Sequence, residues 1–145
     1  MPAKFIASRL TYTPTATSSK TDYPITNINI VGSHPLGYSW KSNNVVTNTT
    51  IDIDLGSTKT VVGVAILKTN ALSQSITYST NGTDYTHFTG SPFTITKELL
   101  GPYYKLMIDQ QVSCRYIRIF LPTQTPITGE AFFEIGMVWV AAAFH

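Results

Sequence analysis

Apolar and polar residues alternate along much of the chain, which is the pattern of β-strands with one buried face. The clearest case is residues 51–56 (IDIDLG), where isoleucine or leucine occupies every second position and aspartate the positions between. We expect Gly56 and Ser57 to end this strand, because glycine weakens strand interiors. Residues 61–67 (VVGVAIL) are apolar on both faces, which is typical of a central strand covered on both sides.

A β-hairpin is predicted around Asn81 and Gly82, because this dipeptide tolerates the positive φ angles of a tight two-residue turn. We expect the last strand to place Phe133, Ile135, Met137 and Trp139 on one side. No segment has the periodicity of a helix. Further strands are predicted at residues 93–99, 103–108, 115–121 and 132–140.

About eight strands at this spacing predict an all-β fold, an antiparallel β-sandwich or jelly roll. The 145 residues suit a single domain covering residues 1–145. Charged residues make up only 12% of the chain, where roughly 25% is usual. Low charge with abundant threonine, serine and asparagine indicates a β-rich surface.

Charge and hydropathy exclude several classes of partner. The net charge is only +2 and the basic residues are scattered, so we expect no nucleic-acid partner. No apolar run approaches the length of about 20 residues that spans a bilayer, and we expect no membrane insertion. The first residues have no apolar run typical of a signal peptide. The single cysteine, Cys114, lies in an apolar strand pattern, which favours a buried and unreactive thiol.

Five motifs in order resemble the discoidin, or coagulation factor 5/8 type C, family, which has a galactose-binding-like β-sandwich fold. The resemblance covers residues 23–140. It implies a discoidin-like sandwich in which Asp54, Asn81, Gly82 and Arg115 have structural roles. The motifs are residues 23–28 (YPITNI), 40–42 (WKS), 51–56 (IDIDLG), 79–85 (STNGTDY), and 115–119 (RYIRI) with 133–136 (FEIG).

The resemblance also implies a structural role for Trp40, whose ring would close the end of the core before the strand at residue 51. Its indole N–H would then need one hydrogen-bond acceptor, such as a loop carbonyl. The alternative is that Trp40 is an exposed platform on which a sugar stacks.

Relatives of this kind often hold a structural calcium ion, and Glu134 matches their glutamate near the last strand. Calcium prefers six to eight oxygen ligands, several of them charged. The supporting loop, residues 29–38 (NIVGSHPLGY), lacks an acidic cluster. We therefore expect no cofactor, and a calcium ion at Glu134 is the exception to test.

Carbohydrate binding is the common use of this family, and relatives place the sugar site on loops at one end of the sandwich. The matching loops are residues 34–44 and 121–131. A sugar site needs an aromatic face and a few fixed polar groups. The alternative is that these are ordinary turn residues and that Tyr38 covers the core edge. The candidate sugar-binding residues are His34, Tyr38, Lys41, Asn43 and Gln124, with Thr123, Thr125 and Glu130 nearby.

An enzymatic role is not expected. Asp52 and Asp54 point to one face of a strand, and paired carboxylates serve glycoside hydrolysis. However, the resemblance assigns Asp54 to a structural motif, and the chain has only three histidines and eight carboxylates. No nucleophile or phosphate-loop motif is present, so we predict a non-catalytic protein.

The segments at residues 23–28, 33–42 and 61–73 look most like discoidin-like modules of tailed-bacteriophage virion proteins. This implies a tail-tip or baseplate component, made in host cytoplasm and located in the virion. It would dock other virion proteins and copies of itself, and bind a host-surface glycan. The alternative is a free-standing bacterial carbohydrate-binding module. The apolar end at residues 137–145 either packs under residues 5–10 or meets another subunit.

Overall fold

A computed structural model describes residues 9–29, 39–95, 99–100 and 103–142. These ranges form an antiparallel β-sandwich with one short 3-10 helix, Ile25–Asn29, which confirms the predicted all-β class. The strands are β1 (Thr13–Ala16), β2 (Trp40–Lys41), β3 (Thr49–Leu67), β4 (Ser73–Ser79), β5 (Thr86–His87), β6 (Phe93–Thr94), β7 (Leu99–Leu100), β8 (Tyr103–Ile108), β9 (Val112–Leu121), β10 (Glu134–Ile135) and β11 (Met137–Ala142).

The 19-residue strand β3 belongs to both layers of the sandwich. Its first half lies between β1 and β9, and its second half lies between β8 and β11. The prediction that the strand ends at Gly56 and Ser57 is wrong. Instead, the register against β9 shifts between Asp54 and Lys59, and Gly56 takes a positive φ of 87° there. An irregularity of this kind lets one strand turn a corner between two packed sheets.

The core lies between the two layers and is almost entirely aliphatic and aromatic. Ile51 and Ile53 are fully buried while Asp52 and Asp54, which alternate with them, face outward, as the pattern predicts. Residues 61–66 are buried on both faces, which confirms the prediction of a covered central strand. Cys114 is also buried, and desolvation raises the pKa of its thiol to about 11, so the thiolate nucleophile is scarce at neutral pH.

Two strands change the face that they bury partway along. In β9, Cys114 points inward, but the next buried side chain is Ile117 rather than residue 116. The prediction for the last strand fails for the same reason. Burial passes from Ile135 to Val138 across Gly136, so Met137 and Trp139 are only half-buried. A bulge or break of this kind reverses the side-chain alternation that follows.

The predicted hairpin at Asn81 and Gly82 is present, but its connection is longer than two residues. β4 pairs with β5 through Thr77 with His87 and Tyr78 with Thr86. Gly82 has a φ of +79°, whereas Asn81 acts through its side chain. Its Oδ1 accepts hydrogen bonds from the backbone N–H groups of residues 83 and 84, at 2.8 and 2.9 Å. The asparagine therefore caps the turn instead of adopting a left-handed conformation.

The C-terminal strand is paired on both sides among the described residues. β11 pairs with the second half of β3, and Leu10 N donates to Val140 O at 2.9 Å. Tyr12 ties this strand to the 3-10 helix, because its hydroxyl donates to Val138 O at 2.7 Å and lies 3.1 Å from Ile28 O. Residues 9–12 therefore lie against β11, but the choice between packing under residues 5–10 and meeting another subunit stays open for the apolar end at residues 137–145. Residues 1–8 and 143–145 lie outside the described ranges.

Candidate functional site

Several loops meet at one end of the sandwich, which we call the loop end. It comprises residues 39–48, 68–73 and 122–134. Hydrogen bonds join them directly: Thr123 N donates to Asn48 Oδ1 at 3.0 Å, and Ile127 N donates to Asn70 O at 2.8 Å. The strand pairing explains the meeting, because β9 ends here and β4 begins here.

Lys41 lies between two aromatic rings at the loop end. Its ammonium is 4.1 Å from the Tyr23 ring centroid and 4.7 Å from that of Phe132. Lys20 lies 5.6 Å from the same Phe132 ring. Such cation–π contacts hold the lysine head close to the protein surface. Lys41, predicted from its loop position as a sugar ligand, is thus part of a cationic and aromatic cluster.

A small polar cavity of about 230 Å³ opens beside this cluster. It has one half-buried aromatic side chain, Tyr104, and polar groups of both charge signs. Its volume is below the roughly 300–1,000 Å³ of pockets for drug-sized ligands, which suits one sugar ring. The lining residues are Lys68, Thr69, Asn70, Tyr104, Thr128, Glu130 and Glu134.

Glu130 is held in its ionised form at the mouth of this cavity. Burial on its own would raise the pKa of the carboxyl group. Hydrogen bonds from Thr128 and Asn70, with the positive charge of Lys41, outweigh that effect and lower the pKa below its usual value. The carboxylate is therefore an acceptor at neutral pH, with oxygen lone pairs available for ligand hydroxyls.

Asn70 organises the cavity, and the sequence analysis did not single it out. Its Nδ2 donates to Glu130 Oε1 and to Phe132 O, at 3.1 and 2.8 Å. Its Oδ1 accepts from Glu134 N at 2.7 Å. An asparagine directly after an apolar strand could have indicated a capping role, but its partners are some sixty residues away in the chain.

Glu134 does not present a free carboxylate for calcium. Ser39 Oγ donates to Glu134 Oε2 at 2.5 Å, and Lys68 Nζ lies 3.3 Å from the same oxygen. Lys68 has a φ of +59°, a strained conformation for a non-glycine residue. The ammonium already neutralises the carboxylate, and the described ranges contain no group of three or more acidic, histidine or cysteine ligands. Residues 30–38 of the supporting loop lie outside the described residues, so a calcium ion at Glu134 stays a prediction.

The other predicted sugar-binding residues are placed differently. Gln124 is committed to the fold: its Oε1 accepts from Ser73 N at 2.9 Å and its Nε2 donates to Ser73 O at 2.7 Å. Asn43 has an exposed side chain, and its backbone N–H donates to Ser18 Oγ at 2.8 Å. His34 and Tyr38 lie outside the described residues, so those two predictions stay predictions.

Trp40 is fully buried beneath the loop end. Its Nε1 lies 3.0 Å from both Ser18 O and Ser19 Oγ, which satisfies the single indole donor. The neighbouring Ser42 hydroxyl donates to Asn44 O and accepts from Phe133 N, both at 2.8 Å. In this arrangement the Trp40 ring packs in the core and offers no open face to a ligand.

The two aspartates of β3 are engaged by arginines of β9 on the outer face of the sheet. Asp54 accepts from Arg115 Nε at 2.9 Å, and Asp52 accepts from Arg118 Nε at 2.7 Å. The Arg115 side chain, followed by the N–H of Gly56, lowers the pKa of Asp54. A glycosidase pair needs one carboxyl group with a raised pKa as general acid, and Asp54 has the opposite shift.

These features define a class: an antiparallel β-sandwich whose candidate ligand site lies on loops at one end. The model of the F5/8 type C domain matches residues 13–132, so the chain belongs to the F5/8 type C domain family. No curated protein sequence matches the chain. Within the described ranges, no helix is long and apolar enough to cross a membrane.

Solved structures of low sequence identity share the fold. Chitosan-binding module 1 of a chitosanase/glucanase from Paenibacillus sp. IK-5 is 22% identical, with a TM-score of 0.68 over 92% of this chain and 97% of that one. The family 32 carbohydrate-binding module of Clostridium perfringens NanJ, in complex with galactose, is 17% identical, with a TM-score of 0.68 over 89% and 92%. A GH29 fucosidase from Ruminococcus gnavus in complex with fucose is 15% identical, with a TM-score of 0.71 over 95% of this chain but only 27% of the enzyme.

Proposed function

We propose that this domain is a non-catalytic carbohydrate-binding protein that holds one neutral sugar residue in the loop-end cavity. The observation that carries the proposal is the combination, in one small cavity, of a half-buried tyrosine with ionised and hydroxyl side chains. The similar modules from Paenibacillus and Clostridium perfringens, a chitosan-binding module and a module in complex with galactose, support a carbohydrate ligand.

Each polar group has a definite part in the proposed complex. The ring of Tyr104 contacts the apolar C–H face of the sugar. Glu130 accepts hydrogen bonds from sugar hydroxyls, and the Thr128 hydroxyl and Lys68 ammonium are further polar partners. Asn70 positions Glu130 and does not itself touch the ligand, because both ends of its amide are already bonded.

The charges of the cavity favour a neutral ligand over a charged one. Lys68 and Glu134 neutralise one another at 3.3 Å, and Lys41 lies close enough to Glu130 to lower its pKa. An anionic sugar would be repelled by the Glu130 carboxylate, while a neutral sugar finds donors and acceptors side by side. We place galactose, fucose and N-acetylglucosamine among the sugars to test first.

A glycan array followed by isothermal titration calorimetry with the best ligand tests the proposal. Tyr104→Ala and Glu130→Gln should each weaken binding by about tenfold, the effect of losing one stacking surface or one charge-assisted hydrogen bond. Tyr104→Phe is the matched control and should retain most of the affinity. Thr125→Ala, on an exposed residue of the same loop that does not line the cavity, should have no effect.

Two results would contradict this proposal. One is an array without any neutral-sugar ligand. The other is a ligand whose affinity is unchanged in both Tyr104→Ala and Glu130→Gln. Hydrolysis of a glycoside by the purified protein would separately overturn the non-catalytic assignment.

We further infer that the module serves in a bacteriophage tail, at the tip or baseplate, where it docks other virion proteins and copies of itself. The support is the resemblance of residues 23–28, 33–42 and 61–73 to phage virion modules. A free-standing bacterial carbohydrate-binding module is the second candidate, and the similarity to the Paenibacillus and Clostridium modules is consistent with it, although the Paenibacillus module is part of a chitosanase/glucanase. Mass spectrometry of virions, purified from a lysate of cells infected by a phage whose genome encodes the chain, decides between the tail component and the free-standing module. Detection at structural-protein abundance supports the tail, and absence from particles supports the free module.

A further inference from the structure

A second cavity lies on the outer face of the sheet, away from the loop end. It occupies about 410 Å³ between β1 and the turn at residues 80–85, and we call it the face groove. It shares no lining residue with the loop-end cavity. Strand register explains its floor: Thr15, Asp52 and Arg118 lie in one cross-strand row, and none of their side chains is buried.

One wall of the face groove is rigid before any ligand arrives. In the turn, Ser79 Oγ accepts from the N–H of Gly82 at 2.9 Å, and Asn81 Nδ2 donates to Asp84 at 2.9 Å. Gly82 lies so close to the Tyr116 ring that a Cβ there would be only 3.3 Å from its Cε2 atom. The turn and the ring therefore support each other, and a preformed wall lowers the entropic cost of binding.

The floor is a charge pair that keeps unused hydrogen-bonding positions. Arg118 binds Asp52 in a bidentate way, with Nε–Oδ1 at 2.7 Å and Nη2–Oδ2 at 3.2 Å. Both side chains remain 38% exposed. The pair uses two of the five guanidinium N–H donors, and each carboxylate oxygen has a further lone pair. The guanidinium also stacks on the Tyr85 ring at 4.2 Å, which fixes its plane.

This combination is suited to a polyhydroxylated ligand without charge. Coplanar donors and acceptors can bind adjacent hydroxyl groups, and the Tyr85 and Tyr116 rings supply apolar contact area. The second pair, Arg115 with Asp54, is also neutralised internally, at 2.9 Å. A charged ligand would have to compete with these pairs, whereas a neutral sugar only adds hydrogen bonds to them.

We propose that the face groove is a second saccharide-binding site, which takes a neutral sugar on the exposed side of the Asp52–Arg118 floor, beside the Tyr85 and Tyr116 rings. The site extends the carbohydrate-binding function but does not depend on the loop-end cavity. Two sites on one domain would bind neighbouring sugars of one glycan, or two glycans of one surface, and so raise avidity.

Proton–nitrogen correlation spectra of the labelled protein test the proposal with lactose, cellobiose and N,N′-diacetylchitobiose as neutral probes. Galacturonic acid and glucosamine serve as charged probes. We expect at least one neutral probe to shift the amide signals of Thr15, Asn81 and Tyr85, with charged probes shifting them less. Tyr85→Ala should weaken this binding by about tenfold, and Arg118→Lys, which loses the bidentate geometry, by a comparable factor.

The controls separate this proposal from the loop-end proposal. Tyr85→Phe keeps the ring and should keep the groove shifts. Tyr104→Ala should reduce the shifts at the loop end, as expected for binding about tenfold weaker, and leave those in the groove intact. The unchanged signals of core amides in each variant show that the fold is retained. The face-groove proposal is overturned if no neutral probe shifts its amides, if charged probes shift them more, or if the shifts persist in both Tyr85→Ala and Arg118→Lys.

Discussion

Replacing Trp40 with alanine gives the sharpest test of how the loop end is supported. The indole is the largest fully buried side chain among the described residues. Truncating a buried tryptophan to alanine costs about 3–5 kcal/mol, because the cavity left behind collapses only partly. The lost hydrogen bonds add less, since Ser18 and Ser19 are half-exposed and water can reach them.

That loss is large for a domain of this size, whose free energy of unfolding is expected to be about 5–15 kcal/mol. At about 2–4 °C per kcal/mol, the melting temperature should fall by about 6–20 °C. Urea denaturation followed by circular dichroism measures the free energy directly. Trp40→Phe is the control: it keeps most of the ring volume, loses the N–H donor, and should cost about 1–2 kcal/mol.

A loss in the free energy of unfolding below about 1 kcal/mol in Trp40→Ala would refute the reasoning from burial, because truncating a well-packed tryptophan destabilises a core by more than that. Weakened glycan binding with unchanged stability would also refute it, and would favour the alternative that Trp40 is a sugar platform.

Three further predictions concern the glycines of two turns, the stability at acidic pH and the loop-end cavity. Gly82→Ala should destabilise the fold by about 1–2 kcal/mol. The loss should exceed that of Gly129→Ala, because both glycines have positive φ but only a Cβ at position 82 meets an aromatic ring. Equal losses in thermal melts would contradict this, because they would show that the ring moves aside at no cost in stability. The lowered pKa of Asp54 means that its pair stabilises the fold above the usual pKa and stops doing so as pH falls through the lowered value. Stability measured from neutral to acidic pH should therefore fall less steeply in Asp54→Asn, and an unchanged slope would contradict the pairing. Asn70→Ala should cost about 1–3 kcal/mol, because it leaves Glu134 N and Phe132 O without their partner, and a denaturation curve identical to that of the parent would exclude this.

The sequence correctly predicted the strand segments whose burial follows directly from their apolar pattern. The alternation at residues 51–55 and the apolar stretch at 61–67 depend only on which face meets the core, and both are buried as predicted. It failed where the backbone departs from regular geometry. Gly56 marks a corner within one strand rather than its end, and the break at Gly136 reverses which residues point inward. Apolar patterns do not distinguish a turn from a corner, because both interrupt the alternation.

The sugar site on loops 34–44 and 121–131 stays a prediction. Lys41 of the first loop lies close enough to Glu130 of the second to lower the pKa of its carboxyl group. Gln124, in contrast, uses its amide to bind the backbone of Ser73. Tyr104, Lys68 and Asn70 reach the cavity from other parts of the chain. Their sequence neighbours give no sign of this, because the contacts are made by strands that pair far along the chain.

The passage of β3 through both layers has a consequence for how the domain opens. Neither sheet can separate without tearing hydrogen bonds of the same strand, so partial unfolding of one sheet is disfavoured and the two melt as a unit. Amide hydrogen exchange should then report one common opening energy on either side of Gly56.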